Sequence, residues 1–309
     1  MPGHIPESLI PLLAARDQLP SSSATFDDGG AYRVEISSVE GPAAMEAVLA
    51  EADARGVELH RVSQGSGITL LSDGEITAMA QLGHERHVEV CLFVGPRGPW
   101  EGSGSPLSPD GKYFGWRHTT VAQLQFAYAD VVRAVELGIR SVLVADEGLI
   151  RLIQQERSAG RLPGDLVVKA SAMLGVANPV GARTLEDLGT DSINIASDAG
   201  VGEVAAFRAA CGSSLDVYIE GPDSLGGFTR YHEVAEIIRV GAPVHIKFGL
   251  RNAPNIYPSG IHLQSVAEST GRERVRRASL ALEGLARSGS DAKPSPAGAP
   301  RRGVPVPRS

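Results

Sequence analysis

Between residues 33 and 248 the chain repeats one pattern. A short run of alternating apolar and polar positions gives way to a turn rich in Gly, Pro, Ser and Asp, then to a segment of helical period that stops near a glycine. Eight such units are visible. They predict strands at 33–37, 58–62, 88–94, 141–145, 166–170, 192–196, 216–220 and 244–248. Helical stretches include 43–54, 75–82, 121–137, 149–159, 202–211 and 234–240, with Gly56, Gly83, Gly138, Gly160, Gly189, Gly212 and Gly241 at the expected stops. Strand centres fall roughly 25 to 30 residues apart, the spacing of a closed (β/α)8 TIM barrel rather than an open doubly wound sheet. The one long interval contains the Gly-, Pro- and Trp-rich loop 95–120, expected to be a lid or binding element.

Alternation along the strands also sorts side chains between helices and lumen. Val34 and Ile36 pack outward, which aims Arg33, Glu35 and Ser37 inward; the same reasoning places Glu89, Cys91, Phe93, Lys169, Ser171, Asn194, Tyr218, Glu220, His245 and Lys247 in the lumen. The second and fourth strands have no clear parity. A barrel interior is ordinarily branched aliphatic, so a lumen holding carboxylates, lysines, an arginine and a histidine is the main chemical signal. The chain has 29 Lys plus Arg, of which only Lys112, Lys169, Lys247 and Lys293 are lysines. Two of those four sit mid-strand in apolar runs. A desolvated lysine beside another cation gives up its proton and becomes a base or a Schiff-base amine, which arginine does not do.

A formal charge of −7 with no clustered basic face before the tail excludes nucleic acid and an anionic membrane as main partners and favours a small anionic metabolite. Two cysteines, Cys91 and Cys211, are too few and too far apart for an iron–sulfur or zinc signature or a disulfide framework, which fits a cytoplasmic protein. No secretory leader or 18-residue apolar run is read. Residues 1–30 are expected to form an N-terminal helical extension (7–18) and linker, 31–287 the catalytic barrel, and 288–309, with five prolines and a charge of +3, a disordered C-terminal tail.

At the predicted C-terminal mouth, the turn Gln64-Gly-Ser66-Gly67 offers backbone N–H groups to an oxyanion. The loop after the last strand places Arg251 and Asn252 where barrels often grip a carboxylate or phosphate. Arg97, Trp100, Trp116, Arg117 and His118 belong to the long third loop, which either closes over a ligand or anchors a homo-oligomer contact. The expected site therefore uses Lys169, Lys247, Glu35, Glu220 and His245 for catalysis, and Gln64, Ser66, Arg97, Asn194, Tyr218, Arg251 and Asn252 for substrate. His84-Glu-Arg-His87 reads as a helix end rather than a metal site.

Serine-elbow, P-loop, H-E-x-x-H and G-x-G-x-x-G motifs are absent. The expectation is lyase or hydrolase chemistry without a cofactor. The alternatives are a divalent metal held by Glu35, Glu220, His245 or Asp146, and a non-catalytic ligand-binding barrel. The strings around Asp216-Val-Tyr-Ile-Glu220-Gly-Pro, His60-Arg-Val-Ser-Gln-Gly-Ser-Gly67 and Lys247-Phe-Gly-Leu-Arg-Asn-Ala-Pro resemble a cysteine-poor bacterial subgroup of the peptidase U32 family, over most of residues 32–285. That resemblance implies the barrel fold and a hydrolase label. The family's better-known members carry a cysteine-rich signature after the strand matching 216–220, tied to iron–sulfur clusters. This chain has no cysteine there, so no cluster is expected, and no catalytic residue carries over by motif.

Overall fold

Eight parallel strands hydrogen-bond in a closed ring in the computed structural model, which describes residues 19–95, 104–105, 108–111 and 115–307. β1 (Tyr32–Ser37), β2 (Arg61–Ser63), β3 (Glu89–Phe93), β4 (Ser141–Val144), β5 (Val167–Ala170), β6 (Ser192–Asn194) and β7 (Ser214–Gly221) follow one another around the ring. A two-residue strand, β8 (Phe228–Thr229), folds back antiparallel on β7, and β9 (Val244–Phe248) closes the ring between β7 and β1. Among the described residues eight α-helices surround it: α1 (Pro42–Arg55), α2 (Asp73–Glu85), α3 (Val121–Glu136), α4 (Glu147–Ser158), α5 (Pro179–Leu188), α6 (Val201–Ala210), α7 (Val234–Gly241) and α8 (Gln264–Arg287). This is the (β/α)8 barrel that the strand spacing predicts. Among the described residues no helix is long and apolar enough to cross a membrane.

Local chemistry sets the boundaries. Ser72 and Glu75 form a capping box at the start of α2, while Thr120, Asp146 and Asn178 cap α3, α4 and α5 with their side chains. Gly56 ends α1 in the left-handed region at φ 62°. Gly83 and Gly241, read as stops, instead lie inside α2 and α7. A Cβ on Gly83 would come within 2.5 Å of the Val90 side chain, so that glycine lets α2 approach β3. The apolar halves of the strands, among them Val34, Ile36, Val62, Val90, Val142, Val168, Ile193, Val217 and Ile246, join the helices in one continuous core outside the barrel. The opposite faces fill the lumen.

The C-terminal end of the chain departs from the sequence reading. The expected helix 7–18 lies outside the described residues. The segment from Ser288, expected to be disordered, is placed as far as residue 307 and runs across the N-terminal end of the barrel. Pro294 bridges to Tyr32 beside β1, the Val306 N–H donates to Gly138 O (2.8 Å) before β4, and Arg302 reaches Asp191 (2.9 Å) before β6. Fully buried Ser295 anchors it: its hydroxyl accepts from Arg33 Nε (2.9 Å) and donates to Asp28 (2.8 Å), and its carbonyl receives His60 Nε2 (2.9 Å). Gly30 permits this docking, because a Cβ there would fall 2.4 Å from the Ser295 backbone. Composition predicts disorder for a segment with few apolar groups; specific hydrogen bonds to buried barrel groups supply what its composition lacks.

Candidate active site in the barrel lumen

The stagger of the strands brings residues distant in sequence to one level of the lumen. Ser37, Glu35 and Arg33 point inward from β1, and the β1–β9 register sets Glu35 beside Lys247 and Arg33 beside His245. Glu35 is fully buried and accepts from Lys169 Nζ through both oxygens, from Ser63 Oγ (2.6 Å) and from Arg61 Nη1 (3.3 Å), with Lys247 Nζ 3.4 Å away. Three of the expected catalytic residues, Glu35, Lys169 and Lys247, thus meet.

Arg61 ties this group to the deeper lumen. It lies 2.8 Å from Asp216, 3.3 Å from Glu35 and 2.9 Å from Glu89, all buried. Ser192 and Ser141 donate to Asp216 and Glu89, each at 2.6 Å. Burial alone would raise the carboxyls of Glu35, Glu89 and Asp216, but the surrounding cations outweigh it and hold all three below their ordinary range. Lys169 is shifted down, chiefly by burial and further by Lys247 and Arg61, against the pull of Asp216 and Glu35. Three carboxylates face three cations, so the cluster is neutral as a whole.

Lys247 is the lysine nearer solvent, 3% exposed against 0% for Lys169. Its ammonium donates to Asn194 Oδ1 (3.1 Å) and sits 4.5 Å from the centre of the Tyr218 ring, so these two expected substrate residues do line its surroundings. Beside them, on the β3–β5 side, Cys91, Phe93, Leu143 and Ala145 form an apolar patch covered by Trp116 and Met173.

Other expected residues lie elsewhere. A bulge between Tyr218 and Glu220 puts Glu220 in register with outward-facing Phe248. Its carboxylate accepts from the Tyr231 hydroxyl and from the Arg251 N–H (2.9 Å), and lies 3.7 Å from Arg277 of α8. Glu220 is therefore not in the lysine cluster. His245 is in the lumen but toward the N-terminal end, 3.1 Å from Asp216 and edge-on to Phe26; burial, then Arg61, lowers its pKa to about 4. The Gln64–Gly67 turn does hold a carboxylate, but it belongs to Glu40, which accepts the Gly65 and Ser66 N–H groups at 2.8 and 2.9 Å. Gln64 closes the turn onto Gly67, and Ser66 Oγ receives Ser259 N–H. Gln64 and Ser66 thus line a small cleft of about 60 Å³, and that turn is not a free anion cradle.

Arg251 is largely exposed, 3.8 Å from Asp223, and Asn252 adopts a left-handed turn at φ 56° with its N–H on Asp223. Arg97 and Trp100 lie outside the described residues. Arg117 is engaged by Ala145 O and Glu147, and His118 by Gly95 O, while Asp146 caps α4. The four donors named for a metal, Glu35, Glu220, His245 and Asp146, do not converge, and no group of three or more such donors does so among the described residues.

Sequence reasoning missed Arg61, Ser63, Ser141 and Asp216 as members of the cluster, while the alternation of Ile193 and Ile195 does turn Ser192 inward. For Asp216 the signal was present, since it shares the parity of Tyr218. For Arg61 it was not: β2 is three residues long and Val62 is its single apolar position.

The fold and the lumen define a parallel barrel whose interior is ionic rather than aliphatic. The chain matches no protein-family model and no curated protein. Solved structures similar to it include a U32 peptidase (18% identity over 64% of this chain and 73% of that one, TM-score 0.39) and the YdjI aldolase from Escherichia coli K12 (14%, 84% and 93%, TM-score 0.47). A mandelate oxidase variant is similar at 13% identity over 89% of this chain and 79% of that one, TM-score 0.47. At that distance neither substrate nor mechanism transfers.

Proposed function

We propose that the chain is a barrel enzyme that acts on a small carboxylate metabolite through lysine chemistry, as a lyase in the first instance and a hydrolase in the second. The observation that carries this is the convergence of two lysines on one buried carboxylate, Lys169 in hydrogen bond with Glu35 and Lys247 3.4 Å from it. Lys247, nearer the mouth, is the reacting amine. Its ammonium gives a proton to Glu35, the freed nitrogen attacks the substrate carbonyl carbon, and the carbonyl oxygen leaves as water; the β-hydroxyl of the bound keto acid then loses a proton, its C–C bond breaks with release of an aldehyde, and the iminium accepts the electron pair. The resulting enamine takes up a proton and the imine is hydrolysed, which frees the amine. Glu35 with Lys169, whose proton is loosened by burial, exchanges protons with the intermediates. Asn194 positions the amine, and Arg251 at the rim is the candidate for the substrate carboxylate. The iminium serves as its own electron sink, so no cofactor is invoked. The proposed setting is cytoplasmic, with a small anion as the partner.

Incubation with pyruvate, 2-oxobutyrate or glyoxylate followed by sodium borohydride should leave a reduced adduct on Lys247, absent from Lys247→Met and diminished in Lys169→Met. No adduct with any of the three acids would eliminate the imine route. A second reading, a non-catalytic ligand-binding barrel, is favoured by the neutrality of the cluster around Arg61. Under it, Glu35→Gln lowers stability sharply and no substrate screen finds turnover.

A further inference from the structure

A large space opens at the opposite, N-terminal end of the barrel. A cavity of about 700 Å³ lies between the deep lumen and the C-terminal segment, lined by Arg33, Arg61, His245 and Thr190 from the barrel and by Arg301 and Arg302 from the segment crossing it. That volume is within the range of metabolite pockets. In TIM barrels this face ordinarily serves packing, and a packed face leaves no polar group without a partner.

Here it leaves several. Of the ten buried side-chain atoms without a hydrogen-bond partner among the described residues, five belong to residues that line this one cavity: Arg301 Nη1, Thr190 Oγ1, Arg61 Nε and both ring nitrogens of His245. His245 is 1% exposed. Most acidic groups lining it or close by are engaged: Asp28 with Arg33 (3.0 Å), Glu89 with Arg61 (2.9 Å), Asp191 with Arg157 (2.7 Å) and Arg302 (2.9 Å), Asp165 with Arg140 (3.8 Å), and Glu186 with the Gly212 and Ser213 N–H groups (2.7 and 2.6 Å); Asp27 also lines it. Arg301 has no such carboxylate. Burial lowers its pKa and Arg33 adds to the effect, while Asp28, Glu58 and Glu89 oppose it. The Arg301 guanidinium thus has no carboxylate beside it at a polar cavity, where an anion would relieve it.

The histidine narrows the ligand. Its Nδ1 lies 3.1 Å from the Asp216 carboxylate, the one charged acceptor beside the ring, which favours the tautomer protonated there and leaves Nε2, buried in the cavity wall, as an acceptor. A ligand satisfying both ends brings an oxyanion for Arg301 and a hydroxyl donor for His245. We infer that the N-terminal mouth is a second ligand site, specific for a small hydroxylated organic anion of the sugar-acid or sugar-phosphate class and closed by the strap that carries Arg301. The inference is independent of the lysine chemistry at the other end.

Calorimetric titration of the full chain with gluconate and with glucose 6-phosphate tests it, the pair separating carboxylate from phosphate. At least one should bind, and acetate and inorganic phosphate, which lack the carbon-bound hydroxyls, should bind at least about tenfold more weakly. Arg301→Gln should weaken the bound probe at least about tenfold, while Arg251→Gln at the opposite mouth leaves it unchanged. The thermal midpoint of Arg301→Gln without ligand should stay within about 2 °C of the parent, since the arginine has no ion-pair partner and loses only hydrogen bonds to the Ala299 and Pro296 carbonyls. Binding of neither probe, equal binding of the hydroxyl-free anions, or affinity lost in Arg251→Gln rather than Arg301→Gln would overturn the assignment.

Discussion

Arg61→Met removes the cation shared by three buried carboxylates while conserving most of the side-chain volume. Arg61 lies 2.8, 3.3 and 2.9 Å from Asp216, Glu35 and Glu89, and all four residues are at most 2% exposed. Without it three carboxylates face two lysines, and one buried negative charge is uncompensated. Breaking a buried pair from one side costs about 3–5 kcal/mol, and this change breaks three contacts at once. Urea unfolding followed by circular dichroism at pH 7 should show a loss in that range, with a thermal midpoint lower by roughly 6–10 °C. The pH dependence supplies a second check. In the parent, carboxyls held below their ordinary values add stability that is complete above about pH 4 and is lost only below it. In the variant one carboxyl rises above its ordinary value and is neutralised on acidification, so the deficit should be largest at pH 7 and shrink toward pH 5. Adding Glu89→Gln should restore part of the loss by removing the surplus charge. A loss below about 1 kcal/mol that does not change with pH would show that Arg61 acts as packing and not as the counter-charge of the cluster.

The remaining tests address the N-terminal end. His245 titrates near 4 in the folded chain against about 6.5 unfolded, so unfolding takes up a proton between those values; stability is whole above pH 6.5 and falls by about 3 kcal/mol as pH drops to 4. His245→Gln should flatten that part of the urea stability profile, and an unchanged slope would show that another group is responsible. Ser295→Val strands the partners of a buried hydroxyl and should cost about 1–3 kcal/mol. Because Ser295 anchors the C-terminal segment, native-state hydrogen exchange should show the Ser295 and Val306 amides losing protection together; protection lost at Ser295 alone would mean that the segment docks in independent pieces.

The fold was legible because each strand with three or more alternating positions carries its own inside and outside. Val34 and Ile36 locate Glu35 in the lumen without any knowledge of neighbours, and the same holds for Lys169 and Lys247. Alternation failed where it was too short or interrupted. β2 has one apolar position, so Arg61, the centre of the cluster, was invisible, and a bulge in β7 turned Glu220 toward Tyr231 and α8. A bulge depends on hydrogen bonding to adjacent strands, which a pattern along one strand does not contain.

By itself the chain's order of residues determined the barrel, the polarity of its lumen and the inward direction of Glu35 and the two lysines, because those follow from local periodicity repeated eight times. Only the tertiary structure decided who partners whom. The carboxylate in the Gln64–Gly67 turn is Glu40, brought there by the β1–β2 pairing. The C-terminal segment is held through Ser295 to Arg33 and Asp28, more than 260 positions away, by hydrogen bonds that leave no mark in composition. Long-range contacts are fixed by strand stagger and by which buried polar atoms need partners, and both exist only once the ring has closed.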